Sequence, residues 1–143
     1  MKKLTFLFLL FSALAFGQKQ EAIPAEVQTF SYSEGETSKS LMNKTDWFIA
    51  LIPMMDINIT NNVKADNGFV FTALQPTDNS EEFVSSDVTY QFLEKSYSAS
   101  AQNFQVYHSV TKSFRPLDLK KDVDYLAFVR ETFFNYWKET LKE

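Results

Sequence analysis

The chain has 143 residues, no cysteine, 14 basic and 18 acidic residues, and a formal net charge of −4. This length suits one domain with a sizeable core and is too short for two. The negative charge disfavours nucleic acid and anionic membranes as partners. Without cysteine there are no disulfides, no thiolate chemistry and no lipid anchor on an N-terminal cysteine.

The first residues have the order of a secretory signal peptide. Two lysines precede an apolar stretch, residues 4–14, and small residues follow at Ala15 and Gly17. This order is typical of a bacterial signal peptide, and the apolar stretch is about half of the ~20 residues that span a bilayer. A buried N-terminal helix is the less favoured alternative, because no polar face interrupts the run. We predict cleavage after Gly17 and a soluble periplasmic or extracellular protein with no stable membrane anchor.

Removal of the 17 signal residues would leave 126 residues with a formal charge of −6. Residues 18–26 are mostly polar and are predicted to be a flexible lead-in. Residues 27–143 are predicted to form a single α+β domain. Its first element is a strand over 27–33, because Phe30 and Tyr32 fall on one side of an alternating pattern.

The segment after the first turn is ambiguous between two structures. Its apolar positions and Thr45 have helical spacing, which predicts a helix over 38–52, while residues 47–52 alone could also form a buried strand. Pro53 ends either element, because the residue before a proline avoids the helical conformation. The helical stripe consists of Leu41, Thr45, Phe48, Ile49 and Ile52.

Four further segments alternate between apolar and polar residues and predict strands over 56–60, 68–74, 87–93 and 103–111. The Asn67-Gly68 pair predicts a hairpin between the first two of these strands. Residues 98–103, SASAQN, are polar and small and are predicted to be a loop. The pattern therefore predicts an antiparallel meander of four to five strands with one apolar face.

The last segment predicts a long C-terminal helix over about 119–141. Its apolar stripe at 100° per residue is Val123, Leu126, Ala127, Phe133, Phe134, Trp137 and Leu141. The stripe should pack on the apolar face of the sheet. Phe133 and Trp137 are expected at the centre of that contact.

Four residues of this helix are candidate contacts for a ligand or a partner. Arg130 falls within the apolar stripe, where its guanidinium could reach the edge of the core or meet a carboxylate in a pocket. Tyr125, Phe128 and Tyr136 lie with Val129 on another flank. That flank is either covered by residues 38–52 or exposed to a partner.

Catalytic and metal-binding groups are sparse. His108 is the only histidine and falls at an inward position of a predicted strand, so a structural role is favoured. The acidic pair Glu81-Glu82 is interpreted as solvated, and Asp122 and Asp124 as the start of the last helix. No catalytic residue, metal site or cofactor site is predicted, because no nucleophile motif or metal-ligand spacing occurs.

Asp56, Asn58 and Thr60 resemble the start of a calcium-binding loop. Such a loop also needs a glycine at its sixth position and a glutamate at its twelfth, and both are missing here, so a calcium site is rejected.

We therefore expect a small exported, non-catalytic module that binds another exported or envelope protein, as an inhibitor, an immunity protein or an envelope accessory protein does. The alternatives are a carrier of a small apolar ligand between sheet and C-terminal helix, or a small hydrolase. A closed apolar cavity would favour the carrier, and an exposed aromatic patch would favour the binding module.

Overall fold

A computed structural model describes residues 23–143, so the predicted signal peptide lies outside the described residues. The elements are β1 (Glu26–Ser31), α1 (Ser38–Leu51), β2 (Asn58–Ala65), β3 (Gly68–Pro76), β4 (Glu82–Phe92), β5 (Ser96–His108), β6 (Ser113–Pro116) and α2. The helix α2 has three parts, which are α-helical over Val123–Arg130, π-helical over Glu131–Tyr136 and α-helical over Trp137–Leu141. In this part of the chain, neither helix has the length and apolarity that crossing a membrane requires.

The strands form one antiparallel sheet in the order β1-β5-β4-β3-β2. Strands β2 to β5 follow one another as hairpins, and β6 continues the meander along β5. Strand β1 pairs with the first half of β5, while β6 pairs with its last residues. The predicted α+β fold, an antiparallel meander with a long C-terminal helix, is therefore confirmed.

Helix α1 forms where the helical spacing predicts it. Thr37 and Ser40 make a capping box at its start, because each side chain accepts a hydrogen bond from the other's backbone N–H. The chain then tightens into a 3-10 turn over Ile52–Met55, with Pro53 near its start. All five residues of the predicted stripe are buried. Residues 47–51 belong to the helix and Ile52 to the turn, so the strand alternative for residues 47–52 is wrong.

The predicted loop at 98–103 is wrong, since these residues belong to β5. Ala99 and Ala101 are buried on the helix side of the sheet, and Ser98 and Ser100 lie on the other face. Alternation is present but weak, because alanine and serine differ little in hydrophobicity. The turn between β4 and β5 lies earlier, at residues 93–95, where the Leu93 amide donates to the Ser96 carbonyl.

The predicted stripe of the C-terminal helix needs correction. The helix begins at Val123, not at residue 119, and Val123 and Ala127 are exposed, whereas Val129 is fully buried. The cause is the π-helical stretch, in which i→i+5 hydrogen bonds widen the turn so that each residue advances by less than 100°. Consequently the buried face of the first half is rotated relative to a regular helix, and Arg130 lies at the edge of the core instead of within it.

Aromatic rings fill the space between α2 and the sheet. The Trp137 ring stacks on Tyr90 with 4.4 Å between ring centroids, and Phe133 packs edge-on against Phe71 at 5.8 Å. The Tyr90 hydroxyl donates to the Phe133 carbonyl at 2.8 Å, and the Trp137 indole N–H donates to Thr45 Oγ1 of α1 at 3.0 Å. Phe133 and Trp137 are fully buried, which confirms their predicted place at the centre of the helix-sheet contact.

Candidate functional site

The first candidate contact, Arg130, is bound within the chain. Its guanidinium forms a two-point ion pair with Glu26 of β1, with Nε–Oε2 and Nη2–Oε1 distances of 3.0 and 2.5 Å. The hydrogen bond from Arg130 holds the pKa of Glu26 below its usual value. Arg130 therefore fastens β1 to α2, and the carboxylate that it meets belongs to its own chain.

Two further candidates, Tyr125 and Phe128, lie together on the first turns of α2. Their rings are stacked with centroids 6.2 Å apart, and the Tyr125 hydroxyl donates to Glu82 Oε2 at 2.6 Å. Burial and the bond to Glu82 raise the pKa of Tyr125. Both rings are partly buried, and Tyr125 connects α2 to β4.

The fourth candidate, Tyr136, is 49% exposed and lies on the side of α2 that faces α1. Its ring packs on Phe48 of α1 at 6.0 Å. One turn later, Thr140 lines an open depression of about 370 Å³ between the two helices. Trp47 forms part of the same depression and is 54% exposed. The depression is lined by Asn43, Lys44, Trp47, Thr140 and Glu143, and we call this surface, together with the adjoining Tyr136, the helix groove.

The helix groove is fixed in shape by contacts below it. The Lys44 ammonium donates to the Leu141 carbonyl at 2.9 Å, which joins α1 to the end of α2. Thr45 donates to the Leu41 carbonyl while it accepts from Trp137. Trp47 and Tyr136 therefore project from two helices that hydrogen bonds join to each other. Exposed aromatic side chains on such a fixed support are typical anchors at protein interfaces.

A second polar site lies where α2 begins. Arg115 of β6 donates to both carboxylate oxygens of Asp122, at 2.7 and 3.0 Å, and the Asp118 amide donates to Asp122 Oδ2 at 2.8 Å. Glu82 lies 3.5 Å from Arg115. The interpretation of Glu82 as solvated is incorrect, because its carboxylate accepts from Tyr125 and lies beside Arg115. Asp122 does lie at the start of α2, as its N-cap residue, but its 3% exposed side chain binds Arg115 and does not cap the helix. An open depression of about 480 Å³ adjoins this cluster.

The Arg115–Asp122 pair predicts loss of stability in acid. Hydrogen bonds from Arg115, reinforced by the Asp118 amide, hold the pKa of Asp122 below its usual value. The stabilisation is therefore present at neutral pH and is lost as the pH falls below the ordinary carboxyl range. Arg115→Gln should lower the free energy of unfolding at neutral pH by about 1 to 3 kcal/mol, because it leaves a buried carboxylate without its main donor. Denaturant unfolding of both proteins over a pH series measures the effect.

The difference between wild type and Arg115→Gln should shrink as the pH falls, since protonation of Asp122 removes what Arg115 stabilises. Asp124→Asn is the matched control, because Asp124 is exposed in the same first turn. A difference that stays constant down to acid pH would show that the pair does not carry this stability.

His108 lies at the last position of β5 and is partly exposed. Its Nδ1 accepts from the Thr111 amide at 3.3 Å, and its Nε2 lies 3.4 Å from Glu81 Oε2. The first contact lies within the turn between β5 and β6, and the second connects the end of β5 to the residue before β4. Among residues 23–143, no three histidine, aspartate or glutamate side chains come together in a group that could hold a metal ion.

Sequence reasoning missed Trp47, Arg115 and the outward aromatic residues Tyr107 and Phe114. A signal existed for Trp47, because it falls outside the buried stripe that the helical spacing predicts for α1. Arg115 and Phe114 lie on the short strand β6, which was not predicted.

Comparisons with protein-family models, curated proteins and solved structures find no match for this chain. Fold and surface therefore define it as a small α+β domain with an aromatic groove between its helices.

Proposed function

We propose that this protein is an exported, non-catalytic module that binds another exported or envelope protein through the helix groove. The observation that carries the proposal is an open depression between two joined helices, which Trp47 lines and which Tyr136 adjoins through the hydrogen bond from the Thr140 hydroxyl to its carbonyl. Trp47 and Tyr136 are both about half exposed. Tryptophan and tyrosine are enriched among the residues that dominate binding energy at interfaces. The signal-like N-terminus supports export, and the acidic charge disfavours nucleic acid as the partner.

The alternative, a carrier of a small apolar ligand between sheet and helix, has less support. The space where such a ligand would lie is filled by Phe71, Tyr90, Phe133 and Trp137, which are at most 1% exposed. A ligand there would have to displace a stacked ring pair and break the hydrogen bond between Tyr90 and Phe133. The outer groove needs no such rearrangement.

The proposal is tested by affinity capture from the native envelope and secreted fractions, followed by binding measurements with the purified captured protein. Trp47→Ala and Tyr136→Ala should each weaken that binding by about 2 kcal/mol, roughly thirtyfold, if the two rings are anchors. Val123→Ala is the matched control, because Val123 is 55% exposed on α2 but distant in sequence from the groove. A captured protein that binds both ring variants as tightly as wild type would contradict the groove as its site.

A further inference from the structure

The face of the sheet opposite the two helices carries exposed apolar side chains. Within residues 23–143, α1 and α2 both pack on one face, so the opposite face, which we call the open face, lacks a covering element. Several large apolar side chains remain exposed there. They are Val27 (59%), Val63 (59%), Val70 (45%) and Phe114 (57%).

The strand register arranges this face in cross-strand rows. One row runs Pro76, Phe83, Tyr107 and Phe114 across β3, β4, β5 and β6. The ring centroids are 6.4 Å apart for Phe83 and Tyr107 and 5.0 Å apart for Tyr107 and Phe114. Another row runs Val70, Thr89, Ser100 and Val27 across β3, β4, β5 and β1. Apolar residues thus lie at both outer ends of each row.

Charge is nearly absent from the strands of this face. The one ionised side chain that they carry there is Asp87, whose two carboxylate oxygens accept from Thr72 Oγ1 and Asn103 Nδ2, both at 2.7 Å. A second molecule with the same net negative charge could approach this face with little repulsion.

We propose that a second copy of this chain covers the open face, so that two sheets pack face to face about a two-fold axis. The axis is parallel to the strands and lies between the two open faces, above the midline between β4 and β5. This operation places Phe83 on the partner's Tyr107 and Val70 on the partner's Val27. Apolar residues then meet apolar residues in both rows, as the self-complementary interface of a two-fold dimer requires.

The same operation places Asp87 opposite the partner's Gln102, an amide, so that the two aspartates do not face each other. Strands of the two sheets then run nearly aligned, which is a common geometry for packed sheets. The open face has five rows between Phe83 and Gln91 of β4, which β3 and β5 share, and β6 and β1 extend all of them except the row of Asp87. From the spacing of strands and residues this area is about 20 by 30 Å. Two copies would therefore bury on the order of 1,200 Å², the size of a small stable interface. This dimer does not use the helix groove and is independent of the proposed function.

Sedimentation equilibrium of the intact exported protein tests the dimer, with wild type expected to show twice the mass of one chain at high concentration. Val70→Lys and Val27→Glu should each give monomers, because each places a charge against an apolar partner residue. The double variant should restore the dimer, since Lys and Glu at these positions would meet across the two-fold axis. Val123→Lys, on the helix side, should remain dimeric.

Circular dichroism and thermal melts of every variant establish that it is folded, which exposed positions such as Val27 and Val70 should tolerate. A monomeric wild-type chain at all concentrations would overturn the proposal. A wild-type dimer that persists in folded Val70→Lys and Val27→Glu would place the interface elsewhere. Folded monomers of the double variant would overturn the two-fold arrangement.

Discussion

Trp137→Ala is expected to lower the free energy of unfolding by about 3 to 5 kcal/mol, the usual cost of truncating a buried tryptophan. Trp137 is fully buried, stacks on Tyr90 and donates its indole N–H to Thr45, so one substitution removes contacts with the sheet and with α1. This loss is a large share of the ~5 to 15 kcal/mol that stabilises a whole domain. Denaturant unfolding and thermal melts measure it.

Tyr136→Ala is the matched control for this experiment, because it changes a neighbouring aromatic residue that is half exposed. Its ring contacts Phe48 but makes no buried hydrogen bond with its hydroxyl in the described structure. We expect a loss of about 1 kcal/mol or less from such a surface position. Equal losses for Tyr136→Ala and Trp137→Ala would contradict the assigned orientation of α2, and a Trp137→Ala variant that melts like wild type would do so as well.

The sequence predicts those elements in which periodicity and burial agree. Helix α1 is an example, because Leu41, Phe48 and Ile52 are both regularly spaced and fully buried. The strands of the first hairpin are another, since apolar and polar residues alternate strongly around Asn67. In such segments each local preference points to the same structure as the tertiary packing.

The errors arise where a local pattern is weak or a regular geometry is broken. Ala99 and Ala101 are small residues on the buried face of β5, and small residues between serines resemble a loop. In α2, the π-helical stretch changes the angle between successive residues. A projection that assumes 100° for every residue misses this change, and no feature of the sequence around Phe133 indicates it. The prediction that Arg130 lies within the apolar stripe is wrong for the same reason.

The candidate sites were less predictable than the fold, because they depend on residues that meet across long sequence separations. Glu82 and Tyr125 are 43 residues apart, and Arg130 and Glu26 are 104 apart. Tyr136 was correctly placed off the buried stripe, yet its groove also needs Trp47 from the other helix. The spacing of residues within one segment predicts which of them are exposed. It cannot predict which exposed residues of two helices lie next to each other, because that depends on how the helices pack.

Gly68→Ala is expected to be destabilising for a reason that differs from the one the sequence suggests. The Asn67-Gly68 pair predicts a glycine that the turn requires, whereas Gly68 is the first residue of β3 and pairs with Gln91 of β4. A Cβ added there would lie 2.2 Å from the Tyr90 carbonyl oxygen, a backbone atom. Since the strands would have to separate beside the buried Tyr90, we expect a loss of about 3 kcal/mol, the upper part of the usual range for overpacking.

Gly35→Ala provides the contrast for Gly68→Ala, because Gly35 has a φ of +82° and no atom of residues 23–143 lies within 4 Å of an added Cβ. Its cost should come from the left-handed backbone alone, about 1 to 2 kcal/mol, and Gly35→Asn should recover part of it because asparagine adopts that conformation more readily. At Gly68 a larger residue of any kind meets the same carbonyl, so Gly68→Asn should be at least as unstable as Gly68→Ala. Urea unfolding of the four variants separates the two causes: recovery by asparagine at both positions would indicate backbone conformation, and recovery at Gly35 alone would indicate close contact between β3 and β4.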